Sequence, residues 1–132
     1  NGVASCAVRI DGRFELVRAR SVPRQSPPYR PLTDVVAEQH VFELADVAGT
    51  MLGFRFPDYA EGIEVGGYHL HFISEDRSRG GHVLGSRCDG TLSVRLDPSS
   101  DLHVELPPGI ELAAPEVAAA THAAVERVER DR

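Results

Sequence analysis

"GGYHLHFISEDRSRGGHVLG", residues Gly66 to Gly85, holds three of the chain's six histidines. Within it, "GYHLHFISE" alternates strictly. Tyr68, Leu70 and Phe72 fall on one face of a strand, and His69, His71 and Ile73 on the other. "DRSRGG" carries turn residues, and "GHVLGSR" reads as the returning strand. A hairpin folding near Arg77-Ser78 places position 71 opposite position 82, where paired Cβ atoms stand about 5 Å apart. Two histidines one residue apart on a strand, with a third on its partner, then converge on one patch. Tyr68, Leu70 and Phe72 become core residues. Gly80-Gly81 suits a bulge or a close backbone approach beside that patch.

Three imidazoles with an open fourth position are the ligand pattern of catalytic zinc, whereas closed structural sites use four ligands, often cysteines. Imidazole suits iron, nickel and copper as well, and the spacing does not choose among them. A lone His-x-His on a polar strand face is commonly just solvated. The third histidine across the turn, behind Gly-Gly, is what favours a metal.

Working outward, "SCAVRIDGRFELVRA" (Ser5 to Ala19) is two alternating runs around Asp11-Gly12, which predicts a hairpin there. "SVPRQSPPYRP" has four prolines and predicts an extended connection. "LTDVVAEQ" has helical spacing at Leu32, Val35 and Val36, with Thr33 as N-cap. "HVFELA" and "GTMLGFRF" read as two strands, "TLSVRLD" and "DLHVELP" as two more. "PEVAAATHAAVERVER" predicts a C-terminal helix opened by Pro115. The expected fold is α+β: a β-rich, mostly antiparallel sheet or partial barrel with one short internal helix and a C-terminal helix.

The 132 residues make one domain, and the net charge is −6 with every basic residue an arginine. This acidity speaks against nucleic acid, whose binding rests on a basic face, and against an anionic membrane surface. No apolar run approaches the ~18 residues of a membrane span. Cys6 and Cys88 form no framework and are expected to be buried thiols of a reducing, cytoplasmic compartment. The start, "NGVASCAVRIDG", has no Met and reads as the product of processing or truncation.

"IEVGGYHLHFISEDRSRGGHVL" resembles the zinc motif of the α-acetolactate decarboxylase family. "AVRIDGRFELVRARSVPRQSPPYRPL", "GTMLGFRFPDY" and "LHVELP" resemble the same family, so the likeness runs over almost the whole chain. It implies a carboxy-lyase that converts (S)-2-acetolactate to (R)-acetoin and CO2, the step of acetoin biosynthesis that feeds the butanediol pathway. Zinc would be the cofactor, held by His69, His71 and His82, acting as a Lewis acid that stabilises an enediolate. Arg20 best matches the family's functional arginine, with Arg24 its rival in the proline-rich loop. Glu129 matches a late active-site glutamate, with Glu126 second. The resemblance covers only the second of the family's two domains, so residues 1–132 are expected to be a single zinc-binding domain whose N-terminal half is absent. A further family glutamate lies in that half. The implied ligand is a small hydroxy-keto acid, and the family's dimerisation makes a homodimer the candidate assembly. A weaker likeness to the plants-and-prokaryotes-conserved domain allows a non-catalytic metal module, and a zinc hydrolase on the same scaffold is a third reading.

Overall fold

The computed structural model describes residues 5–57, 67–101, 103 and 105. Two 17-residue strands dominate it, β1 (Ser5–Ser21) and β2 (His40–Phe56). They pair antiparallel from Cys6↔Arg55 to Ser21↔His40. Helix α1 (Leu32–Ala37) lies in the connection between them. The hairpin strands β3 (Gly67–Ser74) and β4 (Gly80–Arg87) follow, then β5 (Ser93–Ser99).

At 3.4 Å per residue the β1–β2 ribbon would run about 55 Å if straight. A globule of this length has a radius of gyration of about 14 Å, so the ribbon has to bend. Its burial pattern shows where. On β1 the buried apolar positions change from even (Val8, Phe14) to odd (Val17, Ala19), and on β2 from even (Leu44) to odd (Val47, Met51). Both changes fall at one level, because Phe14 faces Val47 and Val17 faces Leu44. At that level Asp46 adopts φ 47°, a conformation that aspartate tolerates better than most side chains. Arg13 Nη1 donates to the Asp46 carbonyl at 2.9 Å and to its carboxylate at 3.0 Å.

The remaining strands fill the edges of this bent ribbon. β3 pairs with the second half of β2, and β4 with the second half of β1. β3 and β4 then pair with each other, so β2, β3, β4 and β1 close into a ring of antiparallel pairings. β5 extends β1 on its first half, from Ser5↔Ser99 to Asp11↔Ser93. Inside the ring Phe14, Val17, Ala19, Leu44, Val47, Met51 and Phe72 form one core cluster. The Phe14 and Phe72 rings meet edge-on, centroids 5.8 Å apart.

The β-rich antiparallel architecture with one short internal helix among the described residues is as the sequence predicts; the expected C-terminal helix lies outside the described residues. Several local expectations are corrected. Asp11-Gly12 makes no hairpin. Gly12 has φ 157°, and Asp11 and Gly12 continue the ladder opposite Thr50 and Gly49. The glycine serves close approach instead, since a Cβ there would stand 2.7 Å from Leu92 Cδ2. Asp11 is occupied by the Thr50 hydroxyl (2.6 Å) and Arg9 Nε (2.8 Å). A ladder running the length of two strands outweighs one local turn preference. For the same reason "HVFELA" and "GTMLGFRF" are one strand.

The helix is capped by Pro31, whose carbonyl accepts from Asp34 and Val35 N–H, and Thr33 lies inside the first turn. Tyr68 is not core: it is 68% exposed at the end of β3, its ring under the Arg55 guanidinium at 5.7 Å. Asp101, His103 and Glu105 have no regular structure, so the strand predicted over "DLHVELP" is absent at those described positions, and Ser93–Ser99 is the last strand among the described residues. Cys6 and Cys88 are free and only half-buried.

Candidate metal centre

The β3–β4 turn fixes the register of the histidines. The Asp76 carboxylate accepts from the Ser74 hydroxyl (2.6 Å), the Ser78 hydroxyl (2.7 Å) and the Ser78 N–H (3.0 Å). Those hydrogen bonds, Ser74's foremost, hold its pKa down at about 2. Arg77 takes φ 59°, and Ser74 N–H donates to the Arg79 carbonyl at 2.8 Å. The ladder then runs Ile73↔Gly80, Phe72↔Gly81, His71↔His82.

Phe72 points into the core, so its neighbours on β3 point away from it. His69 and His71 stack with centroids 5.3 Å apart and planes 10° from parallel. His82 meets both edge-on, at 4.9 Å from His69 and 5.3 Å from His71. Each ring offers a nitrogen lying within 4.8 Å of the others. The His69 and His71 Nε2 atoms are 3.3 Å apart. Two ligands on a tetrahedral zinc at 2.0–2.1 Å stand about 3.3–3.4 Å apart, so this pair already has the separation the ion requires. Neutral imidazole nitrogens without a thiolate suit a divalent ion of zinc's class, and three of them leave a position open.

The second half of β1 borders this patch. Arg20 is the cross-strand partner of His82, which puts the two side chains on one face of the sheet. Arg20 is only 6% exposed, and its Nη1 donates to Gln39 Oε1 at 3.1 Å. Two glycines allow the strands to come this close. A Cβ on Gly53 would run into the carbonyl oxygen of His69, and one on Gly81 would stand 2.5 Å from that of Arg20.

The structure therefore gathers His69, His71 and His82, with Arg20 beside them. Arg24 is exposed in the connection after β1, and Glu129 and Glu126 lie outside the described residues. His103 contacts Glu105 at 3.3 Å, both exposed. Gln39 is a site neighbour that the sequence reading missed. It lies 19 positions from Arg20 and meets it only because β1 and β2 pair, so no local motif announces it.

The sequence profile described as Alpha-acetolactate decarboxylase matches residues 3–116. The chain is 46% identical over 124 residues to the alpha-acetolactate decarboxylase of Methanosarcina mazei, covering 94% of this chain and 43% of that protein. It is 40% identical over 126 residues to that of Brevibacillus brevis, covering 96% and 44%. The crystal structure of alpha-acetolactate decarboxylase from Bacillus subtilis superposes with a TM-score of 0.80 at 37% identity, over 96% of this chain and 54% of that one. The chain thus spans less than half the length of these curated relatives. On its profile match, its identity to these relatives and its fold, it belongs to the alpha-acetolactate decarboxylase family.

Proposed function

We propose that this chain supplies the metal-binding part of a zinc-dependent acetolactate decarboxylase, which releases CO2 from (S)-2-acetolactate and leaves (R)-acetoin. One observation carries the reading: three imidazoles with nitrogens at metal-ligand spacing share a sheet face with a nearly buried arginine. The chain spans less than half of its curated relatives, so the reaction is assigned to the whole family polypeptide, with this segment contributing the residues named here.

In this reading His69, His71 and His82 hold the zinc as neutral imidazoles. Bound zinc supplies a Lewis acid for the electron pair released when the carboxylate departs. Arg20 receives that carboxylate; a planar guanidinium fork fixes its orientation as an ammonium does not. Orientation matters because the breaking C–C bond must align with the ketone π system for its electrons to enter it. CO2 carries no charge, so the hold of Arg20 lapses as the product forms. The carbon left behind needs one proton delivered to one face, and Glu129 is the group we assign to that delivery.

The reading is tested by His71→Ala and His82→Ala. Elemental analysis should show stoichiometric zinc in the parent protein and its loss in both variants, and acetoin formation by the whole polypeptide should be lost with it. Full zinc content in the two variants would refute the site.

A further inference from the structure

Arg20 and Gln39 form an arrangement that the reaction scheme does not yet use. Arg20 is nearly buried, yet the hydrogen-bond partner of its guanidinium is a neutral amide. Among the described residues, no carboxylate is ion-paired with it. A buried cation without a counter-ion is costly, and proteins usually place an aspartate or glutamate against it.

Such an acid is at hand. Glu38 is the adjacent residue, but its carboxylate is clamped by Arg30, with Nη1 at 2.7 Å and Nη2 at 2.9 Å. The chain presents the acid to Arg30 and the amide to Arg20. Gln39 is itself fixed in place. Its N–H donates to the Val36 carbonyl at 3.0 Å just past α1, and the next residue, His40, opens the β2 ladder opposite Ser21.

We infer that Gln39 is a positioning residue: its amide oxygen aims the Arg20 guanidinium without neutralising it, so that the charge stays available for the carboxylate of the substrate. This rests on reading Arg20 as the carboxylate receptor. A glutamate at position 39 would have nearly the same shape, would satisfy Arg20 better, and would switch the receptor off. The choice of amide over acid thus sets a preference for anionic over uncharged hydroxy ligands.

The test uses the zinc-loaded protein and two probes that cannot lose CO2 by this route, 2-hydroxyisobutyrate and its uncharged amide, titrated by calorimetry. The parent protein should prefer the carboxylate. Gln39→Glu should weaken the carboxylate about 10- to 100-fold, the scale of a charge-assisted hydrogen bond. Binding of the amide and zinc content should not change, whereas a merely structural defect would weaken both probes. Gln39→Met, neutral but without an acceptor, should weaken the carboxylate about two- to tenfold, and it decides the matter if the acidic variant does not fold. Parent-like carboxylate affinity in the folded variants overturns the role of Gln39 while leaving Arg20 as receptor. A parent protein with no preference for the carboxylate overturns the Arg20 reading itself.

Discussion

Arg20 and His82 are cross-strand partners, one on β1 and one on β4, and share a sheet face although 62 positions separate them in the sequence. The pair joins a residue suited to holding an anion to one suited to holding a metal. Because the backbone ladder fixes their spacing, each can be altered while the other keeps its place.

Arg20→Lys keeps the charge and loses the planar fork. On the proposed function, it should raise KM for acetolactate in the whole polypeptide about 10- to 100-fold while zinc content stays at the parent level. Steady-state kinetics with elemental analysis on the same sample checks this, and an unchanged KM would contradict the assignment.

Gly53→Ala should weaken metal binding without touching a ligand. The added methyl group collides with the His69 carbonyl, a backbone atom that cannot swing aside, so β3 must shift. Overpacking of this kind costs about 1–3 kcal/mol of stability. Chemical denaturation of the metal-free protein and a zinc affinity titration should both register the change.

Acid should remove the metal well before it disturbs the hairpin turn. Imidazoles bind metal only when deprotonated, so zinc should leave as acid protonates them. Asp76, hydrogen-bonded chiefly by Ser74, and Asp11, held by Arg9 and Thr50, are both lowered to about 2. Carboxylates depressed in the folded state contribute stability above their ordinary pKa near 4, and that contribution is lost as the pH falls through about 2. On acidification the protein should therefore pass through a metal-free, folded state before these carboxylates are protonated. Zinc release followed with a chromogenic chelator, beside near-ultraviolet circular dichroism, separates the two events.

Phe72→Ala should destabilise the protein by about 3–5 kcal/mol. Phe72 is 2% exposed and packs edge-on against Phe14 within the central cluster. A denaturant midpoint close to the parent's would place the core elsewhere.

The histidine patch was legible because a strand's two-residue period and a short turn are local facts. "HLHFISEDRSRGGH" carries the alternation and the Ser-x-Asp-x-Ser turn chemistry within one hairpin. The long ribbon was not legible, because Asp11-Gly12 has the composition of a turn and only the distant β2 ladder overrules it. Tyr68 carried the alternation of a core residue, but burial depends on where the sheet ends, which periodicity cannot report. Gln39 was invisible for a related reason: its contact with Arg20 exists only after two strands have paired.

The closing of the ring adds a mechanical consequence. β1 and β2 are zipped together over nearly their whole lengths, whereas β3 meets β4 only from His71↔His82 to Ile73↔Gly80. That seam is the shortest ladder in the ring, and two of the three candidate metal ligands face each other at its end. An ion held there would act as a clasp on the joint with the least backbone bonding. Ligation energy would then flow into ring closure, and stripping the metal would loosen the fold first along this seam.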